Sequence, residues 1–415
     1  MFKITKISAR QILDSRGNPT VQAVVELDNG VSSAASVPSG ASTGRYEVIE
    51  KRDGNKNYYQ GLSVLGSVDT IKNKISPLLK GRDISGLTGI DKSLEEADGT
   101  PDFSNYGGNA ILPVSMACYR AYAASLNIPL YRLFIQISGL KNPSKPPVPL
   151  FNFINGGLHG NRNLTIQEFL IIPSFQNGFD NILEKAVFLY QSTGKKLENK
   201  GMSTGLGDEG GFVTGFSSNE EAIEFLIEVI NESGRYRYGS DVSLGLDMAS
   251  STFFRQNKYY LRKGIGQEAD GYISEIENLV NKYGLILLED PLAEDDWLNW
   301  TRLSAQLDSK INLVADDLIV TNVKRLERAV NEKACNSLII KINQIGTVSR
   351  ALETLKKAKK SGFKFVISHR SGETNDDFIS DLAVGVGADF VKFGALARGE
   401  RIAKYNRMLT IIDNS

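Results

Sequence analysis

Asp247, Glu289 and Asp316 each close a short apolar run: Val242–Asp247, Leu285–Glu289 and Ile311–Asp316. Carboxylates that converge on one rim repel one another, and burial raises their pKa values unless a cation compensates. Oxygen-only ligation suits a hard ion such as Mg²⁺, which takes few carboxylates and completes its shell with water or substrate. A single acid at such a place serves equally well as a helix cap or loop anchor; three in succession weaken that reading. Lys341 sits inside the apolar run Leu338-Ile339-Ile340-Lys341-Ile342, on the face shared by Ile339 and Asn343. Desolvation there lowers its pKa and suits it to act as a general base. A structural ion pair with one of the carboxylates is the alternative, and both roles are compatible.

Only two histidines exist, His159 and His369. His159 lies in the loop Asn155-Gly156-Gly157-Leu158-His159-Gly160. His369 follows a strand directly and has Arg370 and Ser371 beside it, a good clamp for phosphate or carboxylate. No HExxH or Cys/His spacing accompanies either, which argues against zinc. The loop Gly205–Gly211 holds Asp208 and Glu209 between glycines, as a shaped site loop or an ordinary turn. Glu168 is the other acid able to pair with Glu209. Pro38-Ser39-Gly40-Ala41-Ser42-Thr43-Gly44 reads as a flexible linker or a lid.

These residues need elements to position them. Six apolar runs end in Asp247, Glu289, Asp316, Lys341, His369 and Lys392, spaced 42, 27, 25, 28 and 23 residues apart. That is about one strand-helix unit each. The intervening segments read as helices with proper ends. Ser218-Asn219-Glu220-Glu221 is a capping box, and the stripe Ile276, Leu279, Val280, Tyr283 closes at Gly284. Repeated units of this kind predict a parallel α/β fold, with all six ionisable residues on the carboxyl-terminal face of a (β/α)₈ barrel. A doubly wound sheet is disfavoured, because no GxGxxG follows a strand. Ahead of the barrel, Phe2–Leu13 and Val21–Leu27 read as strands, and Ser63–Leu79 and Asn109–Leu126 as helices. This is a small α+β domain over residues 1–135. The proline-rich stretch 141–149 reads as an extended linker, and the barrel spans 143–415.

The 415 residues balance 48 basic against 48 acidic side chains, with 41% apolar and 23% charged residues. This is an ordinary globular composition without the basic footprint of a nucleic-acid binder. No apolar run reaches the ~18 residues of a membrane span, and the first residues lack a signal-peptide core. Two cysteines make no disulfide framework. A cytoplasmic globular protein is expected.

Nine segments in order resemble the enolase family, the phosphopyruvate hydratases: ILDSRGNPTV (12–21), PSGASTG (38–44), NGGLHG…IQEF (155–169), GDEGG (207–211), GLDMASS (245–251), LEDPLAEDDW (288–297), ADDL (315–318), IKINQIGT (340–347) and SHRSGET (368–374). The resemblance implies a small α+β domain followed by a variant barrel that opens with two strands and two helices. It implies a Mg²⁺-dependent interconversion of 2-phosphoglycerate and phosphoenolpyruvate, with two ions per site. Asp247, Glu289 and Asp316 would hold the first ion and Ser39 the second. Lys341 would be the base, and Glu209, assisted by Glu168, the acid. Arg370 and Ser371 would hold the phosphate and Lys392 the carboxylate region, with His159 and His369 lining the pocket. A homodimer or higher homo-oligomer is implied. The chain departs from the family's pattern at Pro113, Gly160, Arg162, 212–215, Phe393 and Gly399. A related acid-sugar dehydratase or racemase is one alternative, and a protein with decayed catalysis and a binding role is another.

Overall fold

The computed structural model describes the chain apart from residues 1, 41–43, 141–144, 161–162, 176–177, 263, 308–309 and 414–415. Three of the PSGASTG residues, four of the linker residues and Arg162 therefore lie outside the described residues. The first domain opens with three antiparallel strands, Ile4–Leu13, Pro19–Leu27 and Ser32–Ser36. Alternate residues Val21, Ala23, Val25 and Leu27 of the middle strand are buried, and helix Gly108–Ser125 packs against it. Pro113 stands inside that helix, which continues through it with nearly every residue buried. Sequence pattern misses Ser32–Ser36, because SSAAS carries no β-branched or aromatic side chain. It also misses the helices Leu87–Asp98 and Leu130–Ser138. The predicted helix over 63–79 is three consecutive helical pieces, Leu65–Thr70, Ile71–Ile75 and Ser76–Leu79, the middle one a π turn.

The second domain is a barrel. Its strands run in the order Val148–Pro149, Phe390–Lys392, Lys364–Ser368, Ser337–Ile340, Asn312–Ala315, Leu287–Glu289, Val242–Asp247, Glu168–Pro173 and Phe151–Asn155. The first and last of these nine are separated only by Leu150, so the order closes on itself as eight staves. Glu168–Pro173 alone runs antiparallel to both its neighbours. The linker expectation fails at its end, where Val148–Pro149 pairs with Phe390-Val391. Val148 N donates to Asp389 O at 3.0 Å and Leu150 N to Val391 O at 2.8 Å. Pro149 falls between these two donors, where a strand bordering a parallel neighbour needs no N–H from it.

The long gap between Asp247 and Glu289 is filled by a three-stranded excursion, Phe254–Arg255, Lys258–Arg262 and Ile265–Gln267, before helix Ala269–Tyr283. Gly284 ends that helix with φ +60°. Ser218 caps Asn219–Glu232 by accepting from Glu221 N at 3.1 Å, while the Glu221 carboxylate reaches back to Ser217 N at 2.7 Å. The expected capping box thus closes one residue earlier than its standard form.

Side chains alternate along each strand, and the barrel interior is filled by Leu150, Leu170, Ile172, Leu287, Val314, Ile339 and Val366. Gly245 occupies the corresponding place on its own strand, where an added Cβ would meet Ile172 Cδ1 at 3.0 Å and Leu287 Cβ at 3.1 Å. Replacing Gly245 by Val should therefore overpack the interior and destabilise the fold by about 1–3 kcal/mol. Thermal unfolding of that variant measures it, and an unchanged midpoint would mean the interior has room that this packing denies.

Candidate active site

The site is the next layer of the same barrel. On five staves an inward-facing residue is followed, two positions toward the mouth, by a polar one: Leu287 by Glu289, Val314 by Asp316, Ile339 by Lys341, Val366 by Ser368, and Phe390 by Lys392. On the antiparallel strand the step runs backward, from Leu170 to Glu168. Asp247 pairs in register with Glu289 on one side and Glu168 on the other, so three carboxylates stand abreast. All are almost wholly buried.

Two ammonium groups compensate this negative layer. Lys392 Nζ lies 2.8 Å from Asp247 Oδ2, 2.8 Å from Glu289 Oε2 and 3.3 Å from Glu168 Oε1. Lys341 Nζ pairs with Asp316 Oδ2, while Gln344 Nε2 donates to Asp316 Oδ1 at 3.0 Å. The compensation is incomplete. Burial, reinforced by the charge of Asp247, pushes Glu289 up to about 8. Burial and Glu209 hold Glu168 well above the usual carboxylate range.

Lys341 overturns one expectation. Burial is the largest single influence and lowers its pKa, yet the net shift is upward, with the adjacent Asp316 carboxylate the main opposing influence and Glu289 adding to it, so the paired lysine is a cation. Nor does it lie inside a strand. The strand ends at Ile340, and Lys341 precedes the short helix Ile342–Ile345 that carries Asn343.

Glu209 reaches the same mouth from the glycine loop. Gly210 there has φ +84°, and a Cβ on it would strike Ala397 O at 2.7 Å, so this loop needs glycine. Glu209 Oε2 accepts from Asn152 Nδ2 at 3.1 Å and faces His369 Nε2 at 3.6 Å. Arg370 forms a forked pair with Glu47 (2.8 and 3.3 Å) and donates to Asn343 Oδ1 at 3.1 Å. Ser371 and Ser368 line the same cavity. Ser39 does not: it is buried, donates to Asp14 Oδ2, and pairs through its backbone with Gly372. The His159 backbone lies in the turn Gly157–His159, and its side chain is outside the described residues.

Sequence reasoning missed Glu47, Asn152 and Arg401. Arg401 carried a signal: with Lys404 it interrupts the otherwise apolar stripe Tyr405, Met408, Ile411 of the last helix, Gly399–Asp413.

The donor set fits a hard divalent cation: three buried carboxylates at one level, two of them bridged by an ammonium where an ion would sit. Among the described residues, the carboxylate trio whose oxygens lie within 4.8 Å of one another is Asp290, Asp316 and Asp317, not Asp247, Glu289 and Asp316. Asp290, however, is committed to the backbone, accepting from Asp316 N at 2.8 Å and Asp317 N at 2.9 Å. Among the described residues, no helix is long and apolar enough to cross a membrane.

The raised pKa of Glu289 has a stability consequence. The folded state binds its proton more tightly than the unfolded state, where the value is near 4.5. This contribution is complete below about 4.5 and is lost as pH rises through about 8. Chelated protein should therefore lose thermal stability across that window, and added Mg²⁺ should flatten the dependence. Melting curves against pH with chelator and with Mg²⁺ test this; superimposable curves would remove the metal from these three carboxylates.

Residues 4–134 match the family described as Enolase, N-terminal domain, and residues 144–415 match Enolase, C-terminal TIM barrel domain. The chain is also 45% identical over 411 residues to a protein named Enolase from Pelagibacter ubique (strain HTCC1062), covering 99% of this chain and 97% of that protein.

Proposed function

The chain belongs to the enolase family and is a phosphopyruvate hydratase, and from that premise we propose how its residues divide the interconversion of 2-phosphoglycerate and phosphoenolpyruvate. The observation that carries the assignment is one of barrel geometry. The staves bearing Lys341 and Glu168 are four apart in a ring of eight, so they face one another across the mouth. A substrate lying between them is reached by a base on one side and an acid on the other.

Lys341 Nζ takes the proton from C2. To do so it must be neutral, so its pairing with Asp316 is relieved when the site is loaded. Glu209 returns a proton to the departing C3 hydroxyl, assisted by Glu168, whose pKa its surroundings raise. Arg370 and Ser371 bind the phosphate, the Arg370 fork exchanging Glu47 for a phosphate edge. Lys392 attracts the substrate carboxylate, and His159 and His369 line the pocket. Mg²⁺ held by Asp247, Glu289 and Asp316, with a second ion at Ser39, would neutralise the carboxylates and stabilise the charge that C2 deprotonation places on the substrate. The protein works in the cytoplasm as a homodimer; Leu13, Tyr58, Tyr59 and Leu65 of the first domain, each at least half exposed, offer apolar surface for self-association.

Ser39 reaches an ion only if its bond to Asp14 opens. Ser39→Ala should weaken the second Mg²⁺ and leave the first at wild-type strength, as read by calorimetry with substrate present. Two ions retained at wild-type affinity would dismiss Ser39 as a ligand.

The proton-transfer roles separate in one experiment. Lys341→Ala should abolish both turnover and solvent exchange of the C2 hydrogen. Glu209→Gln keeps the shape but cannot deliver a proton, so dehydration should fall by roughly 100-fold or more while C2 exchange persists. Deuterium exchange followed by NMR decides the matter. Exchange at the wild-type rate in Lys341→Ala, or normal turnover in Glu209→Gln, contradicts the assignment.

A further inference from the structure

Arg401 is a fully buried guanidinium on the last helix, to which no role has been assigned so far. Its two terminal nitrogens tie together both loops that carry the acid side of the site. One donates to Arg370 O at 2.6 Å and contacts His369 Nδ1 at 2.7 Å. The other donates to Ser371 O at 2.7 Å and Asp208 O at 3.1 Å. Its charge is met by Glu400 Oε1, 3.3 Å from Nε.

A guanidinium has donors only and keeps its charge at any working pH. His369 Nδ1 must therefore present a lone pair to Arg401, and the ring proton of a neutral imidazole must sit on Nε2. That nitrogen faces Glu209 Oε2. The groups facing His369 are Glu209, Arg401, Lys392 and Lys404; burial and the three cations oppose a charge on the ring, and Glu209 alone favours it. A charged ring at this place would lock Glu209 as a carboxylate in an ion pair and spoil it as a proton donor.

We propose that Arg401 is a positioning residue for the acid step: it fixes His369 as the neutral Nε2–H form while pinning the backbone beside Glu209, and so leaves Glu209 free to hold and deliver a proton. This rests on the reading of Glu209 as the acid. Removing Arg401 frees Nδ1, removes the nearest cation, and allows the ring to charge against Glu209.

The two-histidine chain makes this directly visible. Long-range ¹H–¹⁵N NMR of the wild-type holoenzyme, assigned with a His159→Gln variant, should show His369 neutral with its proton on Nε2 across pH 6–8. A proton on Nδ1, or an imidazolium in that range, overturns the proposal without any change at Arg401. In Arg401→Lys, which keeps the charge but cannot hold all four partners, dehydration should fall roughly 10- to 100-fold. C2 exchange and KM should stay near wild type, and the kcat profile should gain a new inflection where His369 titrates. Arg401→Gln should show the same split more strongly. A merely structural role predicts exchange and dehydration falling together with no new inflection, and that outcome also overturns the proposal. If Glu209→Gln dehydrates normally, the acid assignment is what fails, and the His369 spectra still report on Arg401 independently.

Discussion

Glu168, Asp247, Glu289 and Asp316 share the mouth of the barrel with two ammonium groups, and the balance between these charges governs the rest of the structure. Buried ions are tolerated only when paired and hydrogen-bonded. Lys392 therefore spans three carboxylates, Gln344 completes the shell of Asp316, and Asn152 reaches Glu209. In-register strands deliver Glu168, Asp247, Glu289, Asp316 and Lys392 to one level, because each is the period-two continuation of an inward-facing position. A one-residue slip of any stave would turn its ionisable group outward and leave the others uncompensated. Register, interior packing and site chemistry are thus a single constraint.

The first domain extends that constraint. Val48 N donates to Gln344 O at 3.0 Å, on the short helix just after Lys341. Ser115 Oγ and Asp91 Oδ2 accept from Val348 N and Ser349 N (3.1 and 2.9 Å), capping the next barrel helix from outside the barrel. Helix Leu130–Ser138 lies against Phe378–Val386 so closely that a Cβ at Gly385 would meet Tyr131 O at 2.6 Å. The turn that carries Lys341 and the loop that carries Arg370 are both braced by this domain, the latter through the Glu47 fork.

Much of this was legible in the sequence, for a definite reason. A polar residue closing an apolar run is the visible end of the two-residue alternation that also builds the interior, so six barrel staves stood out; on five the terminal group continues the alternation, while on the stave Lys364–Ser368 it is Ser368 that does so and His369 follows one residue later. What was illegible depended on partners distant in the chain. The sign of the Lys341 shift is set by Asp316, 25 residues away, and Arg370 is matched by Glu47 from the other domain. Pro149 read as a strand breaker because its harmless position between two donors exists only once the barrel closes. Arg401 could have been found, since a cation within an apolar helical stripe demands buried partners, but nothing in the stripe names the carbonyls that satisfy it.

The charge balance also explains why the proposed base is Lys341 and not the more deeply buried Lys392. Lys392 is bound by Asp247 and Glu289 and approached by Glu168, so its pKa is raised well above the usual value, and losing one partner leaves others. Lys341 has one close carboxylate, Asp316, and a more distant contribution from Glu289. In the proposed reaction those two acids are engaged as metal ligands. What then surrounds Lys341 is burial and the neighbouring cations Arg370 and Lys392, and each of these lowers its pKa. The same lysine that Asp316 and Glu289 hold charged in the empty site is driven toward the neutral form by the loaded site, which makes a general base available only when substrate-binding charges are in place.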